Sequence, residues 1–422
     1  MAVKNTNIFD IIVVGGGPAG MMAAGRVAEL GKKTVLIEKT YRLGSKLLLT
    51  GGGRCNITND ADTKDFIRAF GVNGKFLYRA LSVFSNRDLI AFFKARGLEM
   101  RSDPDGKIFP ADDSAESVLA VLRKYNEENN VRIIHNQAAV KILRSGQEGD
   151  EVRGIELAGG TVISAKNVII ATGGMSYPGT GSTGDGYELA KACGHSVIPL
   201  RPGLIPLESG EPFIKDLQGL VLQQVEISVI SGAKKLSSEM GDLLFTHFGV
   251  SGPAVLMLSG AVVDALESGG EAELSVNLKP GYNTAEFERF LQKEMERSGK
   301  KTISGFLKDA LPKSFAPIIE TLSKIQADKR CNVINREERG RIAALFTDFR
   351  IKVSGTRPID EATVTRGGIS LDEIDPKTME SRIVKGLYFC GEIIDLDGVT
   401  GGYNLQEAFS TGYLAGESIG GK

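Results

Sequence analysis

The N-terminal part of the chain alternates between short apolar runs and one longer alanine-rich segment. Phe9 to Val14 is apolar and β-branched and is followed directly by glycines, which predicts a buried strand. Pro18 to Leu30 predicts a helix, with proline in the first turn and Gly31 just after its end. Lys33 to Ile37 predicts a second buried strand. This β-α-β order is typical of a parallel sheet in an α/β fold.

From about residue 200 the pattern changes. Apolar and polar residues alternate strictly in 225–229 and in 274–278, which predicts half-exposed antiparallel strands. Helical periodicity follows behind a predicted cap at Asn283. The segment from Gly386 to Cys390 again predicts a buried strand. We therefore predict a Rossmann-type cofactor domain from 1–197 and 352–422, a β-rich insert on the substrate side, 198–282, and a small helical insert, 283–351.

Composition narrows the range of partners and compartments. The 422 residues include 51 basic and 52 acidic side chains, and this balance predicts neither a nucleic-acid nor a membrane partner. No apolar stretch reaches the ~20 residues of a membrane span. Four cysteines without a CxxC pair predict reduced thiols in a cytoplasmic protein. No histidine and carboxylate cluster has metal-ligand spacing, so we expect no metal site.

The glycine-rich loop between the first strand and the first helix is the strongest local motif. Gly15, Gly17 and Gly20 form GxGxxG, which permits a tight turn, a close approach to a pyrophosphate and close helix packing. The helix start that follows, Pro18-Ala19, presents free N–H groups and a positive dipole end. Glu38 ends the second strand 18 residues after Gly20 (38 minus 20), where an acidic residue binds an adenosine ribose.

Three further segments favour FAD over NAD as the bound dinucleotide. Ile169 to Gly174 is a strand that runs into small residues, including Ala171, Thr172 and Gly173. Tyr388 to Glu392 ends in a glycine and a carboxylate that suits the hydroxyls of a ribityl chain, which NAD lacks. Thr400 to Gln406 leads into a predicted helix, 407–415. A helix start beneath the pyrimidine edge of a flavin would stabilise the anionic reduced ring.

Several longer motifs carry a resemblance to a known family. They are Gly51 to Asn56 (GGGRCN), Tyr177 to Gly186, Phe245 to Pro253 and Gly401 to Asn404. With these motifs the chain resembles the bacterial NAD(P)/FAD-dependent oxidoreductase family that includes aminoacetone oxidase and BaiN-type flavoproteins. The resemblance covers nearly the whole chain. It implies a fold like that of the two-dinucleotide-binding-domain flavoproteins, with a β-barrel-like insert and a helical insert.

The resemblance also implies a set of contacts to a non-covalent FAD. Glycines and the acidic strand end hold the ADP half, the GGGRCN loop runs beside the flavin, and related folds imply backbone contacts from Val140 to adenine. The implied cofactor-binding residues are Gly15, Gly17, Pro18, Ala19, Gly20, Glu38, Lys39, Lys46, Leu47, Gly53, Arg54, Cys55, Asn56, Val140, Ala171, Thr172, Gly173, Gly391, Glu392, Asn404 and Leu405.

Three residues are candidates for direct chemistry, and each has a structural alternative. His247, which lies close to two phenylalanines, is either a general acid or a hydrogen-bonded residue that holds the insert. Arg54 is either a cation beside the flavin and substrate or a partner in an ion pair. Tyr403 either donates a hydrogen bond into the site or packs beneath the ring. Cys55 has no nearby second cysteine, so we predict a packing residue and no disulfide reduction.

Three functions fit these observations. The first is an FAD oxidoreductase that transfers hydride between NAD(P)H, as a transient co-substrate, and a small organic molecule, with reduction of an activated C=C bond as one form. The second is an amine or aminoketone oxidase that uses oxygen. The third is a flavin-binding protein in RNA modification or a non-catalytic role, against which the charge balance argues. Substrate identity, the choice of NADH or NADPH and the oligomeric state stay open.

Overall fold

The computed structural model of the protein describes residues 8–146 and 150–421. The chain forms two compact units, of which the first contains the described residues up to Arg201 and from Thr363 on, and the second is Pro202–Ala362. Each unit has its own buried apolar core. The second unit contains both the β-rich and the helical segments expected from the sequence, and the finer division at residue 282 stays a prediction.

The described elements alternate in type in the first unit and become β-rich, then helical, in the second. The helices are α1 (Pro18–Glu29), α2 (Thr63–Ala69), α3 (Tyr78–Val83), α4 (Asn86–Ala95), α5 (Ala115–Glu128), α6 (Asp185–Ala192), α7 (Pro253–Glu267), α8 (Thr284–Arg297), α9 (Ile303–Ala310), α10 (Ala316–Ser323), α11 (Arg336–Thr347) and α12 (Tyr403–Gly420). The strands are β1 (Ile11–Val14), β2 (Thr34–Ile37), β3 (Thr58–Asn59), β4 (Met100–Ser102), β5 (Lys107–Pro110), β6 (Arg132–Ile134), β7 (Ala139–Arg144), β8 (Val152–Leu157), β9 (Val162–Ser164), β10 (Asn167–Ile170), β11 (Val197–Gly203), β12 (Leu207–Glu208), β13 (Val221–Ser231), β14 (Lys234–Phe245), β15 (Gly249–Ser251), β16 (Ala272–Asn277), β17 (Phe349–Val353), β18 (Gly355–Thr356), β19 (Val364–Ile369) and β20 (Leu387–Phe389).

The first unit is built on a five-stranded parallel sheet in the order β20-β10-β1-β2-β6. All four residues of β1 are buried, as expected of a strand covered on both faces. The predicted β-α-β unit is confirmed, with β1, α1 and β2 in order and Ile11 paired with both Thr34 and Asn167. The carboxyl ends of these strands lie at one edge of the sheet, where ligands of open α/β folds bind.

Helices α1 and α12 pack against each other through small residues. A Cβ atom on Gly412 would overlap the carbonyl oxygen of Ala19, and one on Gly416 would lie 2.9 Å from the carbonyl oxygen of Ala23. Only glycine at these positions permits the two backbones to approach this closely. The contact therefore brings the C-terminal helix of the chain against the first helix of the sheet.

The second unit is built on a seven-stranded antiparallel sheet in the order β17-β16-β13-β14-β15-β12-β18. The predicted alternating strands are confirmed, since Ile227 of β13 pairs with Val276 of β16 and both are buried. Helix α7 packs on this sheet. The predicted cap is confirmed as well, because the Asn283 side chain accepts from the Glu286 backbone N–H at the start of α8.

Candidate active site

The glycine loop has the geometry that the GxGxxG spacing predicts. Gly15 has φ +107°, and a Cβ there would overlap the Ala171 carbonyl oxygen, while a Cβ on Gly20 would overlap the Gly15 carbonyl oxygen. A Cβ on Gly17, in contrast, would meet no atom within 4 Å. Helix α1 begins behind this open position with Pro18 in its first turn and no capping side chain. The loop therefore fits a pyrophosphate, which needs free N–H groups and unobstructed backbone.

Glu38, at the end of β2, is held in a fixed orientation by three donors. Its Oε2 accepts from the Gly16 backbone N–H at 2.8 Å, and its Oε1 accepts from the Thr40 backbone N–H and hydroxyl at 2.8 Å each. A carboxylate has about four acceptor positions, so one remains for a ribose hydroxyl. Lys39, the next residue, turns away and donates to Thr183 and to Asp185.

Lys46 and Glu392, both predicted as cofactor-binding, form an ion pair at the carboxyl edge of the sheet. The Lys46 Nζ atom lies 2.7 Å from Glu392 Oε2 and also donates to the Ser176 hydroxyl at 2.7 Å. The Thr365 backbone N–H donates to Glu392 Oε1 at 2.9 Å. Sequence reasoning missed Ser176 and Thr365, since 130 residues separate Lys46 from Ser176 along the chain. Together these residues form a polar cluster that suits a polyhydroxyl chain.

Two buried hydroxyl groups close to this cluster have no hydrogen-bond partner in the part of the chain that the structure describes. They are Thr172 Oγ1 and the Tyr187 hydroxyl. Burial, followed by the charges of Glu392 and Asp395, raises the pKa of Tyr187, so its hydroxyl stays protonated. An unpaired buried hydroxyl costs free energy unless a ligand completes its hydrogen bonds. This observation, with the open Gly17 loop, shows that the residues present fit the pyrophosphate and ribityl groups of FAD.

The GGGRCN loop is shaped by residues in the left-handed region. Gly51, Gly52 and Gly53 have φ values of 58°, 67° and 89°, and Cys55 has φ 61°. Cys55 is fully buried, and burial raises the pKa of its thiol to about 12. A neutral buried thiol is a poor nucleophile, which supports the prediction of a packing residue. Leu47, at the start of the loop, is also buried.

Arg54 and Asn56 leave this loop in different directions. Arg54 is exposed, and its guanidinium carbon lies 4.7 Å from the centre of the Phe109 ring. In the amide orientation that satisfies its neighbours, Asn56 donates to the Thr58 carbonyl at 2.9 Å and accepts from the Gly402 backbone N–H at 3.0 Å. Asn56 therefore fixes the turn that begins α12. A direct contact of either side chain with the cofactor stays a prediction.

The start of α12 resembles that of α1 in having no capping side chain. Gly402 has φ 94°, and a Cβ there would overlap the Thr58 carbonyl oxygen. The Asn404 side chain accepts from the Gly398 backbone N–H at 2.7 Å and donates to the Gly398 carbonyl at 2.9 Å, so it holds the preceding loop. The Tyr403 ring packs edge-on against Phe66 with centroids 4.9 Å apart.

Glu407, in the second turn of α12, is a buried carboxyl group that sequence reasoning missed. Burial raises its pKa to about 8, and Glu392 adds to this rise. It accepts from the Thr411 hydroxyl at 3.3 Å, and that hydroxyl accepts from the Gly391 backbone N–H at 3.0 Å. Glu407 is therefore mostly protonated at neutral pH and linked through Thr411 to the predicted cofactor contact at Gly391. An acidic residue within the apolar face of a predicted helix was the available signal.

Three further residues that were predicted to bind the cofactor lie on different elements of the first unit. Gly391 has φ 74°, and a Cβ there would lie 2.8 Å from the Ala19 Cβ, which ties it to the start of α1. Leu405 lies half-buried in the first turn of α12. Val140 lies on β7 with 54% of its surface exposed, so its contact with adenine stays a prediction.

His247 belongs to the second unit, in the turn between β14 and β15. It is exposed, and its ring lies edge-on to Phe248 with centroids 5.0 Å apart. The Arg357 guanidinium lies over the Phe248 ring, 4.7 Å from the ring centre. Arg357 is also paired with Glu208 and Glu361. A role for His247 as a general acid stays a prediction.

Two features are absent from the described residues, 8–146 and 150–421. No group of three or more histidine, cysteine or acidic side chains is arranged to hold a metal ion. No helix has both the length and the apolar character needed to cross a membrane.

Comparison with known proteins places the chain in a family. Residues 9–418 match the family described as HI0933-like protein Rossmann domain. The chain is 32% identical to the ribosomal RNA dihydrouridine synthase of Escherichia coli, covering 97% of this chain and 98% of that protein. It is 31% identical to the 3-dehydro-bile acid delta(4,6)-reductase of Clostridium scindens, covering 96% and 98%.

Solved structures show the same fold at lower identity. The 3-ketosteroid delta1-dehydrogenase of Sterolibacterium denitrificans superposes with a TM-score of 0.58 at 14% identity, covering 99% of this chain and all of that chain. The resemblance to the NAD(P)/FAD-dependent oxidoreductase family and the predicted FAD-binding fold are thereby confirmed. The chain belongs to the HI0933-like Rossmann family and is an FAD-dependent oxidoreductase.

Proposed function

We propose that this protein uses FAD to reduce a carbon–carbon double bond conjugated with a carbonyl group, with NAD(P)H as the electron donor. One hydride from NAD(P)H and one proton are added across the double bond, and NAD(P)⁺ leaves. The observation that carries the proposal is the relationship over almost the entire chain to two proteins whose names denote this change. A dihydrouridine is a uridine with two hydrogens added across its C5–C6 bond, and a delta(4,6)-reductase removes double bonds.

The polar groups of the first unit support this proposal. The glycine loop and Glu38 would hold the ADP half, and the cluster of Lys46, Ser176 and Glu392 would hold the hydroxyls of the ribityl chain. FAD, when bound, supplies a two-electron carrier that can receive a hydride and pass it on. The uncapped start of α12 would place N–H groups at the pyrimidine edge, where negative charge is stabilised.

NAD(P)H enters the proposal as a transient co-substrate. The GxGxxG run from Gly15 to Gly20 directly follows a buried strand, and FAD would occupy it, whereas a second run with this spacing, Gly179 to Gly184, begins nine residues after the end of β10 (179 minus 170). A nicotinamide would therefore dock against the flavin without a Rossmann site of its own. Of the candidate side chains for the proton, Tyr403 is protonated at neutral pH by its ordinary pKa, which burial raises further. His247 is the second candidate.

Uridine in RNA is a second candidate substrate, favoured by the 32% identity to a ribosomal RNA dihydrouridine synthase. Its C5–C6 double bond is conjugated with the C4 carbonyl, so it belongs to the same reaction class as a small enone. The expectation of a small-molecule substrate without nucleic acid rests on net charge alone and is untested.

The test is anaerobic mixing of the FAD-loaded protein with NADH and, separately, with NADPH, followed by visible absorption. We expect one nucleotide to bleach the flavin within seconds. An enone or a uridine-containing RNA is then added, and loss of the double bond is followed by mass spectrometry. If neither nucleotide bleaches the flavin, while an amine does and oxygen then yields peroxide, the reductase proposal is wrong and the oxidase alternative replaces it.

A further inference from the structure

The helical segment from α2 to α4 carries a local excess of positive charge. Residues 63–95 contain six basic side chains and two acidic ones, whereas the chain has 51 and 52. All six basic side chains are exposed. They are Lys64, Arg68, Lys75, Arg79, Arg87 and Lys94.

The two acidic side chains of this segment have local partners. Asp65 pairs with Arg68 at 2.8 Å, and Asp88 forms the capping box at the start of α4 with Ser85. Lys75 and Arg79, in contrast, have no ion-pair partner within the part of the chain that the structure describes. Their charges are therefore available to an external anion.

Lys75, Tyr78 and Arg79 are three exposed side chains close together in the sequence. A 3₁₀ segment, Gly71–Leu77, runs directly into α3, so Lys75 lies three residues before Tyr78 and four before Arg79, the spacings at which helical side chains are neighbours. Tyr78 has 65% of its surface exposed, while Leu77 and Ala80 on the opposite side are buried. An exposed ring between two free cations combines a stacking surface for a base with two contacts for phosphates.

This face lies behind the predicted flavin contact of the first unit. Helix α2 packs against the 3₁₀ segment, and the Ala69 carbonyl at its end accepts from the Val399 backbone N–H, in the loop that leads into α12, at 3.1 Å. Phe66 contacts the Tyr403 ring, and the Asn73 side chain donates to the Asp395 carbonyl at 3.0 Å. A polymer bound on the outer side of these helices would therefore pass next to the start of α12.

We propose that the face formed by Lys75, Tyr78 and Arg79, extended by Lys64 and Arg87, docks single-stranded RNA. This inference rests on the proposed function with uridine in RNA as the substrate, and it names the surface that would recognise the polymer. Phosphates bind the cations and one base stacks on Tyr78. A merely solvated helix face, which is the common role of such charges, would show no dependence of RNA binding on these side chains.

The test measures binding of a fluorescein-labelled, uridine-rich single-stranded RNA to the FAD-loaded protein by fluorescence anisotropy over a salt series. We expect Lys75→Gln with Arg79→Gln to weaken binding roughly tenfold, and to reduce the slope of log K against log salt by about 1.4, because each lost phosphate contact removes about 0.7. The matched control is Lys124→Gln with Lys141→Gln, two exposed lysines outside this face. It should bind RNA like the wild type.

Two variants of Tyr78 test how much its aromatic ring contributes to RNA binding. Tyr78→Ala should weaken RNA binding by about tenfold, and Tyr78→Phe should retain it, because stacking needs the ring and not the hydroxyl. FAD content and thermal unfolding show that each variant is folded. Equal RNA affinity of wild type, face variants and control variants would overturn the proposal, as would the absence of RNA binding by the wild type.

A parallel measurement with phosphatidylcholine and phosphatidylserine vesicles separates RNA from another anionic partner. If the protein binds these vesicles through Lys75 and Arg79 but does not bind RNA, the assignment of this face to RNA is wrong. The reductase test uses wild-type protein and nicotinamide without RNA. Failure of RNA docking and failure of the proposed reduction are therefore distinguishable.

Discussion

The starts of helices α1 and α12 have the same backbone features, but different parts of the chain hold them in place. Both begin after a glycine, both have no capping side chain, and both present free N–H groups. The start of α1 is shaped almost entirely by its own motif and by Ala171, whereas the start of α12 is fixed by Asn56 and Thr58, more than 340 residues away along the chain (402 minus 58). The first can be recognised from a short motif, and the second needs the folded chain.

The carboxyl groups close to these two helix starts, Glu38 and Glu407, differ in their hydrogen-bond partners and in their protonation. Glu38 accepts three hydrogen bonds from donors within 22 residues and keeps a position for a ribose. Glu407 is buried with one hydroxyl partner, and burial raises its pKa to about 8, so it is mostly protonated at neutral pH. One carboxyl group is therefore organised as an acceptor, and the other is kept protonated.

The greatest difference in cofactor binding is expected between two glycines of the α1 loop. Gly20→Ala places a Cβ against the Gly15 carbonyl oxygen, so we expect a loss of roughly 3 kcal/mol of stability and protein that purifies without FAD. Gly17→Ala meets no protein atom and should unfold at the wild-type temperature, with FAD affinity reduced about tenfold. Thermal unfolding and FAD titration check both. Equal behaviour of the two variants would contradict the assignment of Gly17 to the cofactor.

A smaller effect is expected at Glu38. Glu38→Gln turns an amide donor towards the Gly16 or Thr40 N–H, which leaves a buried donor unpaired at a cost of about 2 kcal/mol. FAD affinity, measured by fluorescence titration, should fall by more than tenfold. The control is Glu188→Gln on the exposed surface of α6, which should bind FAD normally. Unchanged FAD affinity in Glu38→Gln would remove Glu38 from the ribose site.

The difference in stability between wild type and Glu407→Gln should depend on pH. Because its folded pKa is raised from 4.5 to about 8, the unfolded chain ionises first as pH increases, and the wild type loses stability between these values. The loss is at most about 1.4 kcal/mol per pH unit. Glu407→Gln should lack this loss, so its stability relative to wild type should be greater at pH 8 than at pH 5. Urea unfolding at both values checks this, and a pH-independent difference would contradict the protonated state.

The smallest effect is expected at Cys55. Cys55→Ala removes a buried thiol and should cost about 1 kcal/mol of stability, but the rate of flavin reduction by NAD(P)H should change less than about twofold. Stopped-flow absorption and urea unfolding measure the two quantities. A loss of flavin reduction of tenfold or more would instead show that the thiol takes part in electron transfer.

Local patterns in the sequence predicted the parts of the molecule that depend on neighbouring residues. The GxGxxG loop, the β-α-β unit around it and the Asn283 cap depend on such neighbours, and the structure confirms them. Ser176, Thr365 and Tyr187 were missed because only the folded sheet edge brings them near Lys46 and Glu392.

The local excess of positive charge in residues 63–95 cannot be seen in the net charge of the chain. A balance of 51 to 52 averages over the entire chain, while residues 63–95 carry six exposed basic side chains and two acidic ones. The burial of Glu407 is likewise a property of the packed helices, since an isolated α12 would expose that side chain to water. Both features follow from three-dimensional arrangement rather than from composition.

In the proposed reaction, electrons pass from a nicotinamide through FAD to a conjugated double bond. To test this, the flavin is reduced anaerobically with one equivalent of NADPH or NADH, the oxidised nucleotide is removed, and an enone or a uridine-containing RNA is then added. We expect the visible flavin absorption to return in the absence of oxygen, with one saturated bond formed per flavin. A flavin that stays reduced with every such acceptor and is reoxidised only by oxygen would contradict the claim.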